Sequence, residues 1–234
     1  MSNPIKLFAD GADIEEMKRI YESGIVGGFT TNPTLMKKSG VANYEEFAKA
    51  AIEAIPNLPI SFEVFSDDLE NMEREARLIS SWGDNVYVKI PVMNTQGVST
   101  LPLVKKLSDE GIKLNVTAIM TFEQVMVVVQ ALNRDTPSIV SVFAGRIADT
   151  GIDPTLIMKM SASIVKINNN TELLWASSRE VLNIIQAHGC DCDIITVTPD
   201  IIKKLPMLGK DLTQLSLETV QMFYNDAQSA GYKI

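Results

Sequence analysis

Short apolar runs alternate along the chain with longer stretches in which apolar residues recur every three or four positions. The short runs have the length and β-branched character of buried strands, and the longer stretches have the periodicity of amphipathic helices. Eight strands are predicted, at residues 5–10, 28–32, 60–65, 86–90, 113–119, 139–143, 173–177 and 194–198.

Residues that favour helix starts follow several of these strands. Asp13 and Asn43 each have a glutamate three residues later, which is the spacing of an N-cap and the third helical residue. Pro33 and Pro199 come directly after predicted strands, where proline suits the first turn of a helix. The order of elements therefore predicts parallel strands joined by helices.

Eight strand–helix units in 234 residues average about 29 residues each, close to the lower size of a (β/α)8 barrel. A doubly wound open sheet is the alternative, but eight units favour the barrel. We predict an α/β protein, a single (β/α)8 TIM barrel domain over residues 1–234. A last helix is predicted at about 212–228, and its stripe of Leu217, Val220 and Phe223 packs either on its own barrel or on a second subunit.

Acidic residues outnumber basic ones by 29 to 21, which gives a formal net charge of −8. An acidic chain without basic blocks repels phosphate backbones, so we expect no nucleic-acid binding. No apolar run approaches the ~18 residues of a membrane span, and the first ten residues lack the apolar core of a signal peptide. Cys190 and Cys192 are too close for an unstrained disulfide, which favours a reducing, cytoplasmic location.

Polar residues two positions apart recur at the carboxyl ends of the predicted strands. Residues i and i+2 of a strand point to the same face, so each pair shares one face. Any one pair could be a strand-end cap, but together they predict an active site at the carboxyl end of the barrel. The pairs are Thr30 with Asn32, Ser61 with Glu63, Asn115 with Thr117, Ser177 with Arg179, and Thr196 with Thr198.

Lys89 lies within the predicted fourth strand, between Val88 and Ile90. Lysine is seldom buried without a partner or a function, and burial disfavours its charged form, which frees the amine to attack a carbonyl. The alternative is a lysine on an outer face or in a salt bridge. Alternation argues against it, because Val88 and Ile90 form the apolar face that contacts helices. Asp10 and Glu63, at the ends of two other strands, face the same interior and could transfer protons.

Four segments together resemble successive signatures of the transaldolase family, in the order of that family. They are residues 30–35 (TTNPTL), 88–91 (VKIP), 114–117 (LNVT) and 141–147 (SVFAGRI). The length resembles the short transaldolases and their relatives, the fructose-6-phosphate aldolases. The resemblance runs from Asp10 to about Arg179 and covers most of the chain.

The resemblance implies a class I barrel that uses no metal and no cofactor and forms a Schiff base through Lys89. It implies that Asp10 is the acid/base at the sugar hydroxyl. Glu63, through a water held with Thr117, assists formation and dehydration of the carbinolamine.

Substrate contacts are also implied by the resemblance. The hydroxyls of the dihydroxyacetone unit are held by asparagines, and the phosphate is held by arginines and a serine, since guanidinium groups offer paired donors to phosphate. The alternative is that each arginine forms an ion pair on a solvated face, Arg146 with Asp149 and Arg179 with Glu180. The implied substrate-binding residues are Thr30, Asn32, Asn115, Ser141, Phe143, Arg146, Ser177 and Arg179.

The resemblance implies that two positions distinguish the transaldolases from the fructose-6-phosphate aldolases. The aldolases have glutamine at the position of Glu63 and tyrosine at that of Phe143. Both residues here are of the transaldolase type. Val142 and Trp175 depart from the family pattern without removing a functional group. We therefore expect transfer of a dihydroxyacetone unit between sugar phosphates of the pentose phosphate pathway, with an aldolase or a catalytically silent sugar-phosphate-binding barrel as alternatives.

The remaining signals do not change this interpretation. His188, Cys190 and Cys192 cluster in sequence, but they offer three ligands without a matching group, so no metal site is predicted. Short members of the resembled family form rings of five that pair into decamers, so a homo-oligomer is expected. Sugar phosphates are the expected partners, with no nucleic acid and no membrane.

Overall fold

The computed structural model describes residues 4–233, and its centre is a closed barrel of eight parallel strands in chain order. All eight predicted strands are present, each within three residues of its expected bounds, and the predicted (β/α)8 barrel is confirmed. The strands are β1 (Lys6–Asp10), β2 (Gly28–Thr30), β3 (Ile60–Glu63), β4 (Val86–Pro91), β5 (Leu114–Ile119), β6 (Ser138–Val142), β7 (Thr171–Trp175) and β8 (Ile194–Val197).

Helices connect the strands and surround the barrel. Helix starts agree with their sequence signals: the Asp13 carboxylate accepts a hydrogen bond from Glu16 N at 2.8 Å, and Pro33 and Pro199 are first helical residues. The helices up to the end of β8 and just beyond it are α1 (Ile14–Glu22), α2 (Pro33–Lys38), α3 (Tyr44–Ala54), α4 (Leu69–Ser80), α5 (Leu101–Asp109), α6 (Phe122–Ala131), α7 (Ala144–Asp149), α8 (Thr155–Val165), α9 (Leu182–Gly189) and α10 (Pro199–Ile202).

The barrel interior is filled by side chains and is not a channel. Phe8, Ile139, Leu174 and Ile194, from four strands, form a buried cluster inside it. The close approach of β2 to this cluster requires a glycine, because a Cβ at Gly28 would lie 2.4 Å from Cζ of Phe8. The packed interior leaves the carboxyl ends of the strands as the place for a polar cavity.

The chain divides into two compact units, one ending at Ile202 and the other beginning at Lys203. The first contains the barrel. The second contains a short 3-10 helix, Leu205–Met207, and the helix α11 (Leu212–Ser229). No residue of α11 is buried. Within residues 4–233, no helix is both long and apolar enough to span a bilayer.

Candidate active site

A cavity of about 440 Å³ lies at the carboxyl ends of the strands. All twelve residues predicted to be catalytic or substrate-binding line it, so the barrel brings them together from seven strand ends and the loops that follow. They are Asp10, Thr30, Asn32, Glu63, Lys89, Asn115, Thr117, Ser141, Phe143, Arg146, Ser177 and Arg179.

Lys89 lies on β4 and is only 7% exposed. Its Nζ donates to the carbonyl oxygen of Thr31 at 2.6 Å and to Oε2 of Glu63 at 3.4 Å. The sheet register puts Lys89 directly opposite Glu63 on one side and Asn115 on the other. The side chain therefore points into the barrel and does not extend to solvent, and its ion pair with Glu63 lies inside the cavity.

Asp10 ends β1 on the opposite side of the cavity. Its carboxylate accepts from Thr30 Oγ1 at 3.0 Å and from Asn32 Nδ2 at 3.2 and 3.4 Å. Burial raises the pKa of Asp10, against the positive charge of Lys89 and these hydrogen bonds, which lower it. A carboxyl group with a raised pKa is a stronger base than an ordinary carboxylate, which suits an acid/base role.

Asn32 lies just beyond β2, where the predicted strand was too long. Its side chain caps α2, because its Oδ1 accepts from Leu35 N at 2.9 Å while its Nδ2 faces Asp10. Pro33 begins that helix and keeps the residue before it extended. The cap therefore fixes the orientation of the Asn32 amide, with its donor group turned toward the cavity.

A row of hydrogen-bonded polar side chains crosses the floor of the cavity. Asn115 is fully buried, donates to Ser61 Oγ at 3.0 Å and accepts from Ser141 Oγ at 2.6 Å. Thr117 is also buried, and its Oγ1 has no hydrogen-bond partner among residues 4–233. Such a group can bind a substrate hydroxyl or a water.

Two arginines lie at the mouth of the cavity, and both are exposed. Arg179 is held by Asp149, not by Glu180, and hydrogen bonds from Arg179 together with the charge of Arg146 lower the pKa of Asp149. Ser177 lies beyond β7, where the predicted strand was again too long, and its φ of 60° is left-handed. A residue in that conformation cannot continue a strand.

Tyr44 was not predicted from the sequence, and its hydroxyl lies 2.7 Å from the backbone nitrogen of Glu63 and 2.9 Å from its carbonyl oxygen. Tyr44 begins α3, far from the strand-end pattern, so no local signal connects it to the cavity. Thr196 was among the polar pairs, and it exchanges a 2.6 Å hydrogen bond with Thr30.

No group of three or more His, Cys, Asp or Glu side chains that could hold a metal ion occurs in the part of the chain that the structure describes. His188 is exposed, whereas Cys190 and Cys192 are buried free thiols. Burial raises the pKa of both thiols, which keeps them in the unreactive protonated form.

The fold is similar to that of KGPDC from Streptococcus mutans. One crystal structure of that protein matches with a TM-score of 0.56 at 12% identity and covers 86% of this chain and 90% of that one. Another crystal structure of the same protein, determined with a bound ligand, matches with a TM-score of 0.52 at 11% identity and covers 83% and 88%. At this identity the similarity concerns the fold alone.

Relatives of known name are more similar in sequence. A protein named "Probable transaldolase" from Thermoanaerobacter sp. (strain X514) is 36% identical over 234 residues, covering 98% of this chain and all of that protein. Another of the same name, from Methanococcus maripaludis (strain C7 / ATCC BAA-1331), is 37% identical and covers 86% and 89%. The family model for transaldolase/fructose-6-phosphate aldolase matches residues 7–234. This chain therefore belongs to the transaldolase/fructose-6-phosphate aldolase family.

Proposed function

We propose that this protein is a transaldolase that moves a dihydroxyacetone unit from a ketose phosphate to an aldose phosphate through a Schiff base on Lys89. The observation that carries the proposal is the setting of the Lys89 amine. It is buried in a polar cavity, 3.4 Å from the Glu63 carboxylate, with Asp10 in the same cavity. Fructose 6-phosphate or sedoheptulose 7-phosphate is the donor, and erythrose 4-phosphate or glyceraldehyde 3-phosphate is the acceptor.

The first half of the reaction forms the Schiff base. Glu63 takes a proton from Lys89, and the neutral amine adds to the ketone carbon to give a carbinolamine. A water bound by the free hydroxyl of Thr117 relays the proton to the carbinolamine hydroxyl, which leaves as water. The product is a protonated imine between Lys89 and the sugar.

The carbon–carbon bond then breaks. Asp10 accepts the proton of the hydroxyl on the carbon that becomes the aldehyde, and the bonding electrons move into the protonated imine to form an enamine. An aldose phosphate leaves and the dihydroxyacetone unit stays on Lys89. The acceptor aldehyde is attacked by the enamine, Asp10 returns its proton to the new alkoxide, and hydrolysis frees the new ketose.

The buried polar row would hold the three-carbon unit. Asn115, oriented by Ser61 and Ser141, directs fixed hydrogen-bonding groups at the sugar, and Asn32 adds a second amide next to Asp10. Because these amides are held by neighbours, they need little reorganisation when the substrate binds. Thr30 supports the same side through its bond to Asp10.

The phosphate group is assigned to the mouth of the cavity, at Arg146, Ser177 and Arg179. Both guanidinium groups are solvent-accessible, so they can meet a phosphate without a large desolvation penalty. A sugar with its ketone at Lys89 then extends from the buried floor to the exposed mouth.

The second candidate is a fructose-6-phosphate aldolase, because the matching family includes both activities. Glu63 and Phe143 favour the transferase. A carboxylate and a ring without a hydroxyl hold water differently from glutamine and tyrosine. They therefore affect whether the bound unit is protonated and released or kept for an acceptor. A silent barrel that only binds sugar phosphates is the third.

The decisive experiment measures glyceraldehyde 3-phosphate release from fructose 6-phosphate with and without erythrose 4-phosphate. Release that depends on the acceptor supports the transaldolase. Equal release without acceptor, together with free dihydroxyacetone, identifies an aldolase. Absence of release in both conditions leaves the silent barrel or another sugar phosphate as donor.

Borohydride trapping tests the Schiff base separately. Reduction in the presence of fructose 6-phosphate should add mass to the peptide that contains Lys89, and Lys89→Ala should abolish both adduct and turnover while the fold is kept. Lys113→Ala is the matched control, because Lys113 lies outside the cavity and donates to the Asp84 carbonyl. Activity retained in EDTA supports metal independence.

We also propose a homo-oligomer, a pentamer or decamer, that uses α11. Leu217, Val220 and Phe223 are 50%, 62% and 62% exposed, and an apolar stripe of this kind is commonly covered by a second subunit. Light scattering of the intact protein measures the mass directly. The free thiols of Cys190 and Cys192 are consistent with a reducing, cytoplasmic setting.

A further inference from the structure

The hydrogen bonds between β2 and β3 follow the regular parallel pattern up to Thr31. Phe29 N donates to the Pro59 carbonyl at 2.8 Å, and Thr31 N donates to the Ser61 carbonyl at 3.2 Å. In a parallel ladder the next bond would run from Glu63 N back to the Thr31 carbonyl.

That next bond is replaced by two others. Glu63 N donates to the hydroxyl of Tyr44 at 2.7 Å, and the Thr31 carbonyl accepts instead from Nζ of Lys89 at 2.6 Å. The Tyr44 hydroxyl also donates to the Glu63 carbonyl at 2.9 Å. One phenol therefore satisfies both backbone groups of Glu63 and leaves the Thr31 carbonyl available to the lysine.

Tyr44 is well fixed for this task. It is the first residue of α3, and its ring packs on Phe62, Phe65 and Trp82 with centroid distances of 6.2, 4.5 and 5.6 Å. Burial raises the pKa of Tyr44, as do the charges of Glu63 and Glu75, so the phenol keeps its proton and remains a donor.

We propose that Tyr44 is a positioning residue for Schiff-base formation. It ends the β2–β3 ladder, so that the Thr31 carbonyl can hold the Lys89 nitrogen, and it clamps the backbone of Glu63, whose carboxylate lies 3.4 Å from the same nitrogen. This inference rests on the proposed function, because it assigns Tyr44 a role in the reaction of Lys89.

The consequence can be tested with Tyr44→Phe, which keeps the ring and removes the hydroxyl. Glu63 N then has the Thr31 carbonyl as its nearest ladder acceptor, in competition with Lys89. Misplacement of reacting groups by about 1 Å costs about 100-fold in rate, so we expect adduct formation to slow about 10- to 100-fold. The KM for fructose 6-phosphate should change little, since Tyr44 does not line the cavity.

The measurement is the rate at which a borohydride-trapped adduct accumulates on Lys89 after mixing with fructose 6-phosphate. Tyr21→Phe is the matched control, because it removes a hydroxyl that accepts from Asn57 at 3.3 Å outside the cavity. Slow trapping in Y44F but not in Y21F, with kcat reduced and KM kept, supports the role.

A second variant keeps both the ring and the hydroxyl of Tyr44 but makes the hydroxyl more acidic. With 3,5-difluorotyrosine at position 44, the phenol ionises at lower pH and loses the proton that it donates to the Glu63 carbonyl. The high-pH loss of trapping should then begin at a lower pH than in the wild type, an effect that a purely structural role would not produce.

The outcomes separate the two proposals. An adduct that forms equally fast in wild type and Y44F, or trapping that persists after the phenol of the fluorinated protein has ionised by its ultraviolet absorbance, would overturn the role of Tyr44 alone. Absence of an adduct in the wild type would overturn the Schiff-base function and, with it, this inference.

Discussion

Asp149 holds the guanidinium of Arg179 at the mouth of the cavity. Nε donates to Oδ1 at 3.3 Å and Nη2 donates to Oδ2. The two side chains are 51% and 54% exposed, so the ion pair is screened by solvent and contributes little to stability. A substrate phosphate at this position must compete with the carboxylate for Arg179.

Removal of that competitor should strengthen phosphate binding. We expect Asp149→Asn to bind inorganic phosphate about 2- to 5-fold more tightly than the wild type, as calorimetry would measure, because a solvent-screened carboxylate is only a weak competitor for the guanidinium. Glu180→Gln is the control, since it removes the same charge next to Arg179 without breaking this pair. Weaker binding by D149N would mean that Asp149 orients Arg179 for the phosphate.

Gly145 and Ser177 show how closely the start of α7 approaches the loop after β7 at the mouth of the cavity. A Cβ at Gly145 would lie 1.6 Å from the Ser177 carbonyl oxygen. The backbone would have to move to relieve this clash. Gly145→Ala should therefore lower the free energy of unfolding by about 1–3 kcal/mol or more and weaken phosphate binding. Urea denaturation measures the first effect and calorimetry the second.

Gly189→Ala is the matched control for that substitution. Nothing lies within 4 Å of a Cβ at Gly189, which is in α9, so alanine should raise stability by about 0.5–1 kcal/mol. Equal stability of G145A and the wild type would show that α7 and the loop after β7 move apart readily, and the close contact would then have no role in holding Ser177.

Asp10 gives a pH dependence whose sign follows from its burial. Burial raises the pKa of this carboxyl above its ordinary 3.8, so the folded chain binds more protons than the unfolded chain between the two values. The contribution of Asp10 to stability is full below the unfolded pKa and is lost as pH rises through the folded pKa. Asparagine does not titrate, so D10N should gain stability relative to the wild type as pH rises from the ordinary carboxyl pKa through the raised pKa of the folded chain.

Asp109→Asn provides a control of opposite sign. A hydrogen bond from Lys105 lowers the pKa of Asp109, so the wild type gains stability relative to D109N as pH rises. Urea denaturation at several pH values measures both differences. If the stability of D10N relative to the wild type decreased with pH, the raised pKa of Asp10 would be contradicted, whatever the effect of the substitution on turnover.

The barrel was predictable because its signal is repeated. Each strand has a short apolar run and five of the eight also have a polar pair at or just beyond the carboxyl end, so the repetition outweighs an error in any one strand. The alternation of side chains also placed Lys89, Glu63 and Asn115 on one face, and the observed register puts them side by side. Residues that lie on strands were therefore found from local pattern alone.

The features that were missed depend on contacts between distant parts of the chain. Tyr44 reaches Glu63 across 19 residues, and Asp149 reaches Arg179 across 30. Neither contact has a periodic signature, because it depends on how a helix or loop packs on the barrel. The ends of strands were overestimated for a related reason: the left-handed φ of Ser177 is a tertiary feature that its own side chain does not predict.

The balance between transferase and aldolase can be tested at Phe143. This ring is partly buried, packs against the apolar cluster inside the barrel and lines the cavity. Because phenylalanine has no hydroxyl, the side chain cannot hold a water there by a hydrogen bond. In Phe143→Tyr the added hydroxyl can hold a water that protonates the enamine, so acceptor-independent release of glyceraldehyde 3-phosphate should rise about 10-fold relative to acceptor-dependent release. Phe122→Tyr is the control, because Phe122 begins α6 and lies outside the cavity. If the two release rates keep their ratio in F143Y, the hydroxyl at this position does not select the reaction, and Glu63→Gln becomes the variant to measure in the same assay.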